Sequence, residues 1–311
     1  MFPLLIQLGG IVIALSPGAL FNVDGKKMPN TTEEATPLKP GAAFPFVKAL
    51  KTVNDHLIKL YPGSQEGFRV ILVVSDPTQD KGRLQSSIEH YRLTVEVFQT
   101  EPQHFVNDLK DRGTHLFLSE DPVMVRQALT GGVPAATLHK PEQMLETSET
   151  QLRVAFDADA VLFSDESERV YKKEGLQPYL KHERENVDRP LKQGPLERFA
   201  KALYRLQGMF HDKGYHRNCP IRTFLVTSRG SSYCGLRALK TLRSFDLEID
   251  EAFFLSGSNK GPTLQAIRPH VFFDDQDRHI NSAKEHGVVS AHVPYGIAKQ
   301  HSHRKTQGGE H

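Results

Sequence analysis

Residues 153–163 read Arg153-Val-Ala-Phe-Asp157-Ala-Asp159-Ala-Val-Leu-Phe163. The run opens with apolar residues suited to a buried strand. It then sets two carboxylates two residues apart, where that strand should end. In an open parallel sheet the carboxyl ends of the strands are where ligands bind. Carboxylates at such a place are costly unless they hold a cation or do chemistry. One of them can attack phosphorus while the other handles the leaving group's proton. By itself an Asp-x-Asp pair is equally a pair of solvated loop acids, so its weight depends on the residues downstream.

Three further pieces come in order. Phe224-Leu-Val-Thr227-Ser228-Arg229 is a second apolar strand ending in a hydroxyl. Lys260 stands in Ser258-Asn-Lys-Gly-Pro. His270-Val-Phe-Phe-Asp274-Asp275-Gln276 is a third strand ending in paired acids. Each alone has a plain reading: Thr227 as a strand-end turn residue, Lys260 as a surface lysine, Asp274 and Asp275 as turn formers. Nucleophile, hydroxyl, lysine and acidic pair is the order of the haloacid-dehalogenase-like phosphatases, and the sequence resembles that superfamily. A phosphoryl group in transfer carries dispersed negative charge, so positioning and positive charge dominate its chemistry. On that resemblance the acids hold Mg²⁺, Lys260 neutralises nucleophile and phosphate, and Thr227 hydrogen-bonds a phosphate oxygen.

The chain's 311 residues suffice for one large domain or two ordinary ones. A charge of +2, with basic residues dispersed among acids, gives no electrostatic case for nucleic acid or a membrane surface. The 15 histidines show no ligand-like spacing. Two cysteines, Cys219 and Cys234, are too few for a disulfide framework and fit a reducing, cytoplasmic setting. The apolar stretch 1–21 lacks a basic segment before it, and Gly9, Gly10 and Pro17 interrupt it. It reads as leading into a strand rather than as a signal peptide or membrane span.

The two halves of the chain echo each other. His115-Leu-Phe-Leu-Ser119-Glu120 resembles His270-Val-Phe-Phe-Asp274-Asp275, and both are followed by a Gly-Val stretch. Ile11-Val-Ile-Ala-Leu-Ser16-Pro-Gly18 resembles the Asp157 strand, and Arg69–Ser75 resembles Thr223–Thr227. The expectation is an α/β protein built on a Rossmann-like parallel sheet of haloacid-dehalogenase type. A degenerate unit of related design, residues 1–145, precedes a catalytic unit, residues 146–298. In the first, Ser16 and Gly18 stand where Asp157 and Asp159 stand in the second. An insertion over about 165–215 is placed to cap the site, and 299–311 reads as a disordered tail. Strands are expected at 11–15, 70–74, 115–118, 135–138, 153–157, 222–226, 252–255, 270–273 and 289–293. Helices are expected at 44–60, 195–211 and 235–245, a loop at 25–43 and a linker at 140–150.

Longer strings sharpen the resemblance: GAAFPFVKAL (41–50), QLRVAFDADAVLFSDESERV (151–170), QGPLERF (193–199), CPIRTFLVTSR (219–229), KGPTLQAIRPHVFFDDQ (260–276) and SAHVPYG (290–296). They look like the cytosolic 5′-nucleotidase type I family over roughly residues 10–298. That resemblance implies Mg²⁺-dependent hydrolysis of AMP and other nucleoside 5′-monophosphates, with ADP as a possible effector and homo-oligomeric assembly. It implies Asp157 as nucleophile and Asp159 as acid and base. The metal would be held by Asp157, the Asp159 backbone carbonyl and the acidic pair, with Asp275 as direct ligand and Asp274 behind it. Ser228 and Arg229 would join Thr227 in contacting substrate. Segment 75–82, SDPTQDKG, departs from the family's pattern. Two other readings stay open: a phosphatase for another small phosphomonoester, and a non-catalytic nucleotide-binding subunit.

Overall fold

The computed structural model describes residues 10–23 and 36–296. Three expectations, for the segment before residue 10, for most of the 25–43 loop and for the 299–311 tail, lie outside those residues. The described chain folds around one ten-stranded sheet. Its first five strands are β1 (Ile11–Leu15), β2 (Phe68–Val74), β3 (Val95–Gln99), β4 (Thr114–Ser119) and β5 (Ala135–His139). The next five are β6 (Leu152–Phe156), β7 (Ile221–Thr227), β8 (Glu251–Phe254), β9 (Val271–Asp274) and β10 (Ser290–His292). The order across the sheet is β3-β2-β1-β4-β5-β10-β9-β6-β7-β8. Every pair is parallel except β5 with β10, which meet antiparallel with Ala291 opposite Leu138. Each set of five therefore runs in the same order from its first strand, and the two sets join through their fifth strands. The continuous sheet goes beyond the sequence expectation of two units. The join covers one open edge of each set, an edge that would otherwise offer unpaired backbone groups.

Both faces follow from strand alternation. Ile11, Ile13 and Leu15 of β1 and Leu152, Val154 and Phe156 of β6 belong to one continuous apolar core. It is covered by α2 (Phe44–Leu60) and α8 (Glu197–His211), whose apolar faces recur at helical spacing. The coverage is crosswise: α2 comes from the first set and packs on β6, while α8 comes after β6 and packs on β4. On the opposite face the core divides in two. Val12, Ala14 and Phe117 pack under α4 (Phe105–Asp111) and α5 (Pro122–Thr130). Ala155, Phe224 and Phe272 pack under α10 (Gly261–Ile267) and α11 (Asp277–Glu285). The remaining helices are α1 (Pro17–Leu20), α3 (Lys81–His90), α6 (Glu166–Glu174), α7 (Leu176–Glu185) and α9 (Tyr233–Ser244). Within the expected 165–215 insertion, α6 and α7 sit at the carboxyl ends of the second set. Phe199, Leu203 and Phe210 of α8 are instead fully buried against the sheet.

The echo in sequence has a counterpart in bonding. The Val12 amide donates to His115 Nδ1 at 3.2 Å, and the Arg153 amide donates to His270 Nδ1 at 3.1 Å. The Ser16 amide donates to Leu118 O and the Asp157 amide to Phe273 O, each across the first and fourth strands of its set. Because the sets run in opposite directions, the Ser16 end and the Asp157 end lie on opposite edges of the sheet. Burial pushes both histidines down to about 4. Their rings stay neutral while the unfolded chain takes up protons below about 6.5, so stability is lost as pH falls from about 6.5 toward 4. A His115→Gln/His270→Gln double variant is expected to flatten that loss, seen as a smaller difference between urea midpoints at pH 7 and pH 5. Parallel slopes for variant and wild type would contradict the assignment.

Candidate active site

β6 lies where the second set changes direction. The chain leaves it for β7 and β8 on one side, then crosses to β9 and β10 on the other. A doubly wound sheet opens a crevice at such a switch point, beyond the carboxyl ends of its strands. Asp157 follows β6 directly, Asp274 ends β9 beside it, and Thr227 ends β7 on the other side. Beneath Asp157, the rings of Phe156 and Phe273 stack at 5.4 Å, and Phe199 of α8 meets both edge-on at 6.1 Å. This rigid floor fixes the start of the acidic loop. Beyond Asp159 the chain turns through Ala160, which holds a left-handed φ of 58° while fully buried. A non-glycine residue there costs about 1 kcal/mol. Packing absorbs it: a Cβ on Gly194 would lie 2.4 Å from Phe163 O, so the loop lies directly against that backbone. Phe163 is a core residue, edge-on to Phe245 at 6.2 Å.

Lys260, just before α10, is fully buried and reaches both Asp157 Oδ1 and Asp274 Oδ2 at 2.7 Å. Asp274 also accepts from the Gln276 amide at 2.8 Å and contacts His279 Nδ1 at 2.9 Å. Burial alone would raise Asp274, but Lys260 and His279 outweigh it and hold the carboxyl at about 2. Burial raises Asp157 to about 6 against the pull of Lys260. Burial and then the charges of Asp274, Glu168 and Asp157 push Asp275 well above the usual carboxylate range. Asp275 is 1% exposed, and neither of its carboxylate oxygens has a hydrogen-bond partner. Ligand oxygens of Asp157, Asp274 and Asp275 lie within 4.8 Å of one another, the only such metal-capable group among the described residues. A buried carboxylate with two orphaned oxygens beside two further acids fits a hard divalent cation that takes oxygen ligands.

The other sequence-predicted residues lie around this centre. Both oxygens of Asp159 are taken by Arg229, through Nε at 2.8 Å and Nη2 at 2.7 Å. Arg229 also donates to Ser167 Oγ at 2.8 Å and pairs with the fully buried Glu183 of α7. Glu183 accepts from Arg237 of α9 at 2.8 Å, and Arg237 reaches Glu166 of α6 at 2.8 Å. The chain Asp159–Arg229–Glu183–Arg237–Glu166 ties the acidic loop to both helices above it. Thr227 is buried and its hydroxyl accepts from the Arg229 amide at 3.2 Å. Ser228 Oγ lies 3.5 Å from His279 Nε2. Sequence reading passes over His279, Glu183, Arg237 and Glu168. The highly charged run 165–190 is read only as part of a cap, with no residue singled out. Only the pairing of Glu183 with two arginines distant in sequence reveals that it is buried.

The Ser16 end has a different content. Ser16 Oγ donates to Glu120, whose Oε1 lies only 1.9 Å from where a Cβ on Gly18 would stand. The Glu120 side chain fills the space that a residue in the Asp159 position would need. A groove of about 760 Å³ lined by Lys140, Leu145, Lys284 and His286 lies at this edge as well, away from the acidic centre.

Residues 7–300 match the model of the 5′-nucleotidase family. The chain belongs to the 5′-nucleotidase family. It is 43% identical over 305 residues to human "Cytosolic 5′-nucleotidase 1B", covering 94% of this chain and 50% of that protein. It thus spans about half the length of that curated relative. No solved structure matches it. Among the described residues of this 5′-nucleotidase family member, no helix is long and apolar enough to cross a membrane.

Without a metal, Asp275 destabilises the protein at neutral pH. Its folded carboxyl stays protonated above the pH at which the unfolded chain ionises, so this contribution to stability is lost as pH rises. Asp275→Asn is expected to raise the melting temperature in EDTA at pH 7.5 by several degrees, on the scale of about 2–4 °C per kcal/mol. It should also remove the further rise expected of the wild type on adding a divalent cation. A lower melting point in EDTA would show that Asp275 is satisfied by some other partner.

Proposed function

We propose that this chain is a Mg²⁺-dependent 5′-nucleotidase that hydrolyses AMP, and other nucleoside 5′-monophosphates, to nucleoside and phosphate. The observation that carries the reading is the buried Asp157–Asp274–Asp275 cluster, with Lys260 between two of its members and both Asp275 oxygens without partners. Membership of the 5′-nucleotidase family and the relative's name point to the same substrate class. That relative is named cytosolic, and the unpaired, buried Cys219 and Cys234 suit a cytosolic setting. The matched strand orders and paired histidine bonds support two halves of haloacid-dehalogenase type and common design, the first degenerate at Ser16, Gly18 and Glu120. The same kinship makes ADP activation and homo-oligomeric assembly worth testing.

In this reading Asp157 attacks the 5′-phosphorus, and the P–O bond to the ribose oxygen breaks as the aspartyl-phosphate forms. Lys260 touches the nucleophile and stabilises charge gathering on the phosphoryl group. Asp274 is the anchor for Lys260 and His279. Thr227, Ser228 and Arg229 border the phosphate's place at the end of β7. Asp159 protonates the departing oxygen and then removes a proton from the attacking water. Both oxygens of Asp159 are bound by Arg229, so neither is free to carry the proton that the departing oxygen needs. Donation therefore requires Arg229 to release one oxygen when substrate enters. Mg²⁺, held by Asp157, Asp275 and the Asp159 carbonyl, would neutralise phosphate oxygens and help align them for in-line attack. Helices α6 and α7 cap the crevice and exclude water.

The test is phosphate release from AMP, with Mg²⁺ and then with EDTA. Release that depends on Mg²⁺ and exceeds that from sugar phosphates is expected, with Asp157→Asn at least about 10³-fold slower and still folded. Because Asp157 reacts as the carboxylate and is raised to about 6 without an ion, the rate should fall as pH drops through about 6 at low Mg²⁺. Saturating Mg²⁺ should move that limb lower. Full activity in Asp157→Asn, or in EDTA, would reject the mechanism.

A further inference from the structure

Glu168, in the first turn of α6, is buried like the acids of the centre, with 7% of its surface exposed. One oxygen, Oε1, is held by Lys172 at 2.6 Å and faces the Gln276 amide at 3.4 Å. The other, Oε2, is buried with no hydrogen-bond partner. Gln276 adjoins Asp275, whose own oxygens are also without partners, and the Glu168 and Asp275 carboxyls are in contact. Two buried acids in contact cannot both carry their charge cheaply unless a cation or its bound waters stand between them. The partnerless oxygens thus belong to neighbouring side chains, Asp275 just past the end of β9 and Glu168 on the capping helix α6.

The chemistry of the ion bears on the same volume. A small hard dication such as Mg²⁺ keeps several of its waters, since the protein supplies only one or two carboxylates. Those waters are strong donors and need acceptors held at fixed positions. Carboxylates that accept from metal-bound groups set the ligand geometry, and their loss typically costs 10–100-fold in metal affinity. We propose that Glu168 is a positioning residue of the metal centre, its Oε2 accepting from a water of the ion bound at Asp157 and Asp275. The inference rests on the metal-centre reading above and extends it to a side chain carried by the capping helix. It gives α6 a double attachment. Its consecutive residues Glu166 and Ser167 bind Arg237 and Arg229, and Glu168 binds the ion's water shell. Ion binding and docking of α6 then stabilise each other.

The experiment is a Mn²⁺ titration of the EDTA-stripped, full-length protein without nucleotide, following loss of the free-ion EPR signal, on wild type, Glu168→Gln, Glu168→Ala and Asp275→Asn. Melting temperatures of the stripped proteins accompany it. Glu168→Ala is expected to bind Mn²⁺ about tenfold or more weakly, Glu168→Gln to lie between it and wild type, and Asp275→Asn to lose binding. If Glu168 only braces α6 through Lys172 and Gln276, its variants will melt lower when stripped yet bind Mn²⁺ as wild type does, and the proposal falls. If Asp275→Asn and wild type bind alike, the metal-centre reading falls with it. Weaker Mn²⁺ binding by Glu168→Gln at an unchanged stripped melting temperature would support the proposal.

Discussion

The buried ammonium of Lys260 is the interaction on which the site depends. It sits between Asp157 and Asp274 at 2.7 Å from each, with all three side chains withdrawn from water. Removing one partner of such a group strands a charge in the interior, at a cost of about 3–5 kcal/mol. The lysine therefore constrains its surroundings from three directions. The ends of β6 and β9 must be neighbours in register, α10 must begin where it delivers the side chain, and the apolar floor must exclude water. The sheet supplies the first of these through the β6–β9 pairing, with Phe156 opposite Phe273. The aromatic cluster under Asp157 supplies the last.

One cation cannot balance three acids. Lys260 serves Asp157 and Asp274, and His279 adds a second contact to Asp274, so Asp275 is left over. That imbalance is local. A few ångströms away, Asp159, Glu183 and Glu166 are matched by Arg229 and Arg237. A fold able to satisfy three buried and two half-buried charges in one chain of ion pairs has not failed by accident at Asp275. The deficit of positive charge is confined to the spot where the switch point of the sheet opens. A place suited to a cation there is a physical reading of the charge distribution, independent of any kinship.

Much of this is legible in the sequence, for a reason particular to parallel sheets. Strands buried on both faces are continuous apolar runs, so the ends of β1, β4, β6, β7 and β9 stand out where polar residues begin, and Asp157, Thr227 and Asp274 stand at those ends. β3 escapes notice because Val95-Glu-Val-Phe-Gln lies at the sheet's edge, half exposed and partly polar. The short helices α10 and α11 carry too few turns for periodicity to announce them. The junction of β5 with β10 leaves no local signal, since three residues from each strand decide it. The burial of Glu168 and Glu183 is illegible for another reason. A glutamate in a charged helix looks solvated until its partners, here Arg229, Arg237 and the neighbourhood of Asp275, are brought to it by tertiary structure.

The contrast between the two edges of the sheet shows how little separates a charged centre from an inert one. Both sets of strands have the same order, and His115 and His270 accept the same backbone bond. At the Ser16 end, however, the single carboxylate of the exposed Glu120 accepts from Ser16 and lies over Gly18. Its charge is met by a hydroxyl, and no cluster of acids able to hold an ion lies at that end among the described residues. At the Asp157 end the acids cluster, two of them bridged by Lys260 while Arg229 holds Asp159 beside them. The scaffold is indifferent to which of these it carries. What distinguishes them is whether the carboxylates at the strand ends find their partners within the protein, and at Asp275 they do not.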